Sequence, residues 1–330
     1  MSPQFSVQLW RTRVVIVIQG GAAFGYQLHK DPGSLPVRDV IRRALDLGVR
    51  TFDTSPYYDP SEVLLGEAFS HPDITSRYTR DDYILMTKVG RIAASHFDYS
   101  PDWIRYSVRR SLERFKTPHL DVVFCHIVAR LARERYGRPL DVVQNWAQLT
   151  LQNMRLKKEG MVALRGAGID CVCSSSPLAI GLLRSQGVPQ GNLGDFHPAP
   201  PGLRVAAQLA ADWVKTQGES LASLALRFAF SESLARDTPP FISIIFGAGT
   251  IAEVKENVAA AMSVHESLPQ TFQNFRKPAK LNKTQVERDR VLIGEVRRIL
   301  GHWIDYSFTS PEEGWDIQTK KMEPHVKPRL

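Results

Sequence analysis

Short β-branched runs alternate along this chain with longer stretches whose apolar residues recur at helical spacing. The run Val14-Val15-Ile16-Val17-Ile18 has the length and composition of a buried strand, and Gly20-Gly21-Ala22-Ala23 ends it. Val37, Val40, Ile41, Ala44 and Leu45 then keep to one face of a helix over 37–47, which Gly48 stops. The same alternation predicts strands over 50–53, 83–87 and 120–125. A helix over 61–69, capped by Ser61, and another over 102–115 lie between them. Further on it predicts strands at 140–144, 170–173 and 241–246, with helices at 152–164, 203–216, 220–230 and 251–262. Repeated strand–helix units of this kind build a parallel sheet with helices outside it. The whole of 1–330 reads as one domain. A barrel spans about 14–262, and a polar, basic linker follows from residue 272. One more amphipathic helix, carrying Val286, Ile293, Val296 and Leu300, extends the ordered part to about 303, and a frayed tail occupies 310–330.

The length fits a TIM-type (β/α)8 barrel, but the spacing does not supply all of it. Asp53 to Lys88 is 35 residues and Lys88 to His126 is 38, each enough for one strand–helix–strand step. His126 to Leu140 is only 14, room for one short helix over 129–136 and nothing more. The expected fold is therefore an α/β barrel lacking about one βα unit between His126 and Leu140, with seven strands instead of eight. Strand number, tilt and shear are linked in a barrel, so the shortage should leave exposed strand edges.

Asp53, Lys88 and His126 each end a predicted strand, and the three strands are consecutive. The C-terminal ends of barrel strands converge on the active face. Tyr58 lies five residues past Asp53, in the loop over that face. A phenol that accepts a proton near neutrality needs an adjacent ammonium, because phenols titrate near 10. That ammonium in turn needs a buried carboxylate, and a neutral imidazole can orient the reacting oxygen. The set suits carbonyl–alcohol interconversion, in which a proton moves at one atom and a hydride at another. Singly, each residue has a plainer role: Asp53 as a turn former, Lys88 as a solvated strand end, Tyr58 as packing, His126 as a core histidine. Near the C terminus, Gly247-Ala248-Gly249-Thr250 joins a strand to a helix. Thr250 and Glu253 have capping-box spacing there. Such a glycine turn at a helix start can hold a phosphate, or can be only a tight turn.

Composition narrows the partners. With 43% hydrophobic and 23% charged residues, and no apolar run near the roughly 20 residues of a membrane span, the chain is expected to be soluble and cytoplasmic. The apolar run after Arg11 and Arg13 is too short for a signal peptide core. The net charge of +8 permits an anionic partner, yet no nucleic-acid motif accompanies it. Cys125, Cys171 and Cys173 lack C-x-x-C spacing and the nine histidines form no ligand pair, so no metal site is expected.

Together these residues resemble the aldo-keto reductases. The resemblance lies in the run from Gly48 through Asp53 to Tyr58 with Ser61-Glu62 and Leu65-Gly66, in Met86-Thr87-Lys88-Val89-Gly90, and in Ser111-Leu112 with Leu120-Asp121 and His126. Ser176 to Gly181 and Glu256-Asn257 complete it. The wording around Asp53 and Ser176 is similar to the branch that oxidises D-arabinose- and L-galactose-type aldoses. The resemblance implies a catalytic set of Asp53, Tyr58, Lys88 and His126. It also implies contacts to nicotinamide and diphosphate from Gly21, Ala22, Gln144, Ser176, Pro177 and Leu178. The adenosine end would lie at Gly247, Ala248, Gly249, Thr250, Glu253 and Asn257. The cofactor it implies is NAD, since acidic Glu253 gives a 2′-phosphate no counter-charge, with NADP as the alternative. Its implied partner is a small sugar or carbonyl compound, with no nucleic acid and no membrane. Alternative outcomes are an NADP-dependent aldehyde or ketone reductase and a shortened relative without activity. Sequence leaves the oligomeric state open.

Overall fold

The computed structural model describes residues 17–93, 96–125, 140–188, 197–234, 238–264 and 281–308. Seven strands, all parallel, form one sheet: β1 (Val17–Gly20), β2 (Thr51–Asp53), β3 (Ile84–Val89), β4 (Val122–Cys125), β5 (Val142–Trp146), β6 (Cys171–Ser175) and β7 (Phe241–Gly247). Their spatial order is β4-β3-β2-β1-β7-β6-β5, a nearly closed barrel. Apart from β4 and β5, strands consecutive in sequence pair with each other, and β7 closes back on β1. No β4–β5 ladder exists among the described residues. The gap falls where the short spacing after His126 places it.

The edge strands carry the marks of that gap. β1 and β3 are buried at every position, whereas β5 is only half-buried and ends on an exposed Trp146. Val123 of β4 is likewise exposed. Interior strands read as continuous apolar runs because both faces are covered; an edge strand loses that cover. Inside the barrel Ile18, Ile84, Met86, Phe124, Cys171, Cys173 and Ile245 make a separate core.

Outside it, α1 (Val37–Asp46) buries the predicted stripe Val37, Val40, Ile41, Ala44 and Leu45. Next come α2 (Ser61–Ser70), α3 (Pro101–Phe115), α4 (Met161–Gly166), α5 (Pro201–Thr216), α6 (Leu221–Leu234) and α7 (Ile251–Val264). The last helix, α8 (Lys283–Leu300), docks through Val296 and Leu300 and through a buried ion pair. In that pair the Arg227 guanidinium donates to both Asp289 oxygens at 2.7 and 2.8 Å.

Several expected boundaries move. The strand expected from Leu140 starts at Val142, and the helix expected from Gln152 is helical only from Leu156 onward, as one π-helical turn leading into α4. The reason is local competition for the backbone. Thr150 Oγ1 accepts from Asn153 N–H, Asn153 Oδ1 from Arg155 N–H, and Asp305 Oδ1 from Met154 N–H at 2.7 Å. Pro60, not Ser61, caps α2, and the Ser61 hydroxyl bonds Thr54 instead. His126, the short helix expected over 129–136, most of the linker and the tail from 309 lie outside the described residues.

Candidate active site

Parallel register sets the frame. Gly20 lies opposite Asp53 on one side and Gly247 on the other, so these three strand ends share one level of the barrel mouth. Asp53 is opposite Met86, two residues before Lys88. The Lys88 ammonium reaches back to Asp53, donating to Oδ2 at 2.8 Å and Oδ1 at 3.0 Å, and to the Thr54 carbonyl at 2.9 Å. Both side chains are nearly sealed, at 5% and 4% exposure. Lys88 Nζ stands 5.2 Å from the centre of the Tyr58 ring. Gln144 Nε2 donates to Asp53 Oδ2 at 3.3 Å.

Electrostatics keep the lysine charged. Burial pushes its pKa down, but the Asp53 charge, the Tyr58 phenol and the bonds to Asp53 outweigh burial, and the net direction is up. Burial pushes the Asp53 carboxyl up, with Lys88 pulling against it. Cys173 also feels this pair, and burial together with Cys171 holds its thiol well above the ordinary range, as a neutral group. Cys171 and Cys173 share one face of β6, as their spacing implies, and both are buried free thiols.

The Tyr58 loop is held from several directions. Ser55 Oγ accepts from Tyr57 N–H, Gln27 Nε2 donates to the Tyr57 carbonyl, and Tyr26 N–H donates to the Asp59 carbonyl. Gly21 must be glycine here: a Cβ would sit 2.6 Å from both Thr54 Oγ1 and Ser61 Oγ. Ala22 follows it in a 3₁₀ turn at the end of β1.

Beyond β6, Ser176 (φ 60°), Ala179 (φ 50°) and Ile180 (φ 61°) all take left-handed backbone, with Pro177 and Leu178 between them. Non-glycine residues in that region are uncommon and mark a chain path fixed by something other than local preference. At the glycine turn, Thr250 Oγ1 accepts from Glu253 N–H as the capping pattern requires. The Glu253 carboxylate, however, accepts from Gly249 N–H at 2.8 Å, one residue before the capping-box position. Asn257 Nδ2 donates to the Gly247 carbonyl at 3.1 Å, and Ala248 is buried.

The residues present fit a nicotinamide dinucleotide. Among the described residues eight buried side-chain N and O atoms have no hydrogen-bond partner, and two of them, Gln19 Oε1 on β1 and Asn145 Oδ1 on β5, belong to strands of the barrel next to the candidate residues. Buried polar atoms are rarely left so. Gln19 is tied by Nε2 to the Ala248 carbonyl, under the glycine turn, and Asn145 follows Gln144 on β5. A Cβ on Gly247 would meet nothing within 4 Å, so the turn faces open space. Sequence reasoning passed over Gln19 and Asn145, although a glutamine closing an apolar strand was a visible signal. His29, brought beside Gly249 by folding alone, has its pKa lowered by burial, with Arg184 pushing the same way and Glu253 opposing. His126 falls outside the described residues and the other fifteen candidate residues within them. Among the described residues no His, Cys, Asp and Glu group could hold a metal, and no helix is long and apolar enough to cross a membrane.

Comparison with known proteins shows the family of the chain. The model of the aldo/keto reductase family matches residues 18–133 and 129–270. D-arabinose 1-dehydrogenase of Saccharomyces cerevisiae is 34% identical over 281 residues, covering 72% of this chain and 80% of that protein. L-galactose dehydrogenase of Arabidopsis thaliana is 30% identical over 269 residues, covering 69% and 78%. Among solved structures, an aldo-keto reductase of Bombyx mori in complex with NADP aligns at 16% identity and a TM-score of 0.49, covering 88% of this chain and 91% of that one.

Proposed function

The chain belongs to the aldo/keto reductase family, an oxidoreductase family that uses a nicotinamide cofactor, and we propose that it oxidises an aldose at the anomeric carbon to a lactone with NAD. The observation that carries this reading is the sealed Asp53–Lys88 pair with the Tyr58 ring 5.2 Å from its ammonium. In the proposed reaction Tyr58 takes the proton of the anomeric hydroxyl. Lys88 stabilises the phenolate at short range in a water-poor site. Asp53, held by Gln144, keeps the ammonium charged and aimed. His126 orients the sugar oxygen. Bound NAD supplies the hydride acceptor.

For the cofactor, Gln144, Asn145, Ser176, Pro177 and Leu178 would hold the nicotinamide end, Gly21 and Ala22 the diphosphate, and Gly247 to Thr250 with Asn257 the adenosine end. The orphaned acceptors of Gln19 and Asn145 support that placement. Glu253 sets a carboxylate on Gly249 N–H, which favours a ribose hydroxyl over a 2′-phosphate there. Arg184, whose charge reaches His29 beside this turn, is the observation favouring the second reading, an NADP-dependent aldehyde or ketone reductase. The relatives named for D-arabinose and L-galactose supply the aldose class.

Initial rates with D-arabinose and L-galactose, each with NAD and with NADP, test both readings. The expected result is turnover with NAD, nearly abolished in Tyr58→Phe while NAD affinity stays within about twofold. Turnover that survives Tyr58→Phe would remove the assignment, and a preference for NADP would replace the first reading with the second.

A further inference from the structure

The site places Lys88 and Tyr58 on different elements, a strand and a loop, yet their separation governs how well the ammonium serves the phenol. One buried carboxylate is tied to the immediate neighbours of both. Glu62, in the first turn of α2, is fully buried. Its Oε1 accepts from Thr87 Oγ1 at 2.7 Å and from Ser111 Oγ at 2.8 Å. Thr87 immediately precedes Lys88 on β3, and Ser111 lies on α3. Its Oε2 faces Arg114 of α3 at 3.3 Å, and the other arm of Arg114 reaches Asp59 Oδ1 at 3.3 Å. Asp59 immediately follows Tyr58. The approach of α3 is set by Gly66, whose missing side chain leaves room for the Arg114 carbonyl.

We propose that Glu62 and Arg114 are positioning residues for the proton-transfer pair: Glu62 fixes the strand that carries Lys88, and Arg114 carries that constraint to the loop that carries Tyr58. The inference rests on the reading of Tyr58 as proton acceptor. The charged groups around the phenol's loop are then Lys88 with Asp53 from the barrel, Arg114 with Asp59 from the helix side, and Arg91, whose guanidinium lies 4.2 Å over the Tyr57 ring. Removing Arg114 alone would leave Glu62 buried without a cation, so the test variant removes both charges together, Glu62→Gln with Arg114→Met.

The readout needs neither cofactor nor sugar. Phenolate absorbance is titrated with pH in each background and subtracted from that of the same background carrying Tyr58→Phe, which isolates one phenol among the tyrosines. Widening a phenolate–ammonium separation from about 4 to about 5 Å at an effective dielectric near 20 corresponds to about 0.6 of a pH unit, or about fourfold. The double variant should move the titration to higher pH by about that much, with kcat for the aldose falling about fourfold or more and NAD affinity little changed. Arg114→Lys with Glu62 kept, which leaves a cation between Glu62 and Asp59, should hold the titration close to that of the parent. Superimposable titrations with only a lower melting temperature would show a purely structural pair and overturn the proposal. Should the double variant not fold, Asp59→Ala breaks the last link at a half-exposed side chain and is read by the same titration. If Tyr58→Phe leaves turnover intact, the reading of Tyr58 itself fails, and the proposal falls with it.

Discussion

Replacing Lys88 by methionine keeps the volume of the stem and deletes the charge. Asp53 would then remain sealed at 4% side-chain exposure with only the 3.3 Å bond from Gln144, and the Thr54 carbonyl would lose its donor. Breaking a buried pair by removing one partner costs about 3–5 kcal/mol, because the surviving charge has no compensation. Adding Asp53→Asn removes that charge. The double variant should therefore lose only about 1–2 kcal/mol, the scale of the hydrogen bonds forgone. The pH dependence follows from the same burial. Burial already pushes the Asp53 carboxyl up, and without Lys88 nothing cationic pulls it down. The folded single variant then holds a proton that its unfolded chain has released, so its stability falls as pH rises from about 4 toward 7. Urea unfolding at two pH values, with the midpoint and slope taken for the parent, Lys88→Met, Asp53→Asn and the double variant, reads all of this. A single-variant loss below about 1 kcal/mol, or losses that add within about 0.5 kcal/mol, would refute the reasoning.

Gly66→Ala should be among the most damaging small substitutions in the chain, because its Cβ would lie 1.9 Å from the Arg114 carbonyl oxygen and α2 would have to part from α3. A loss of about 2–4 kcal/mol is expected in urea unfolding. His197 predicts an acid-side slope. Burial holds its pKa at about 4 against an ordinary 6.5, with Arg204 also pushing it down and the Ala179 carbonyl, 3.0 Å from Nε2, opposing them. The unfolded chain takes up a proton below about 6.5 that the folded chain refuses until about 4, so up to about 3 kcal/mol is lost as pH falls through that window. His197→Asn should flatten that slope; an unchanged slope would place the titration elsewhere.

Much of the barrel was legible in the sequence, for a physical reason. Interior parallel strands such as Ile84–Val89 are buried on both faces and read as apolar runs, and α1 carries a clean helical stripe. The spacing after His126 located the open edge that Val123 and Trp146 now mark. The Asp53–Lys88 contact was legible because strand ends in a parallel barrel converge, whatever the sequence distance between them. Other features depend on groups that meet only after folding. The stretch from Gln152 to Arg155 was expected to be helical, but Asp305, about 150 residues away, takes the Met154 N–H. Glu253 has capping-box spacing, yet its carboxylate turns to Gly249 N–H, a choice no spacing rule specifies. The Glu62–Arg114 bridge joins two helices through a contact that Gly66 permits, and nothing in the local sequence of either helix announces it.

A barrel that holds a nicotinamide cofactor over Tyr58 and Lys88 must fold as one cooperative unit despite the missing β4–β5 ladder among the described residues. Thermal unfolding of the full chain with and without saturating NAD tests it most directly. At 100 times its dissociation constant a ligand adds about 2.7 kcal/mol, which for a chain of 330 residues corresponds to a rise of about 4 °C in Tm. One cooperative transition, raised by about that amount with NAD, is the predicted result. A broad, non-cooperative transition, or a sharp one that neither NAD nor NADP moves, would contradict it.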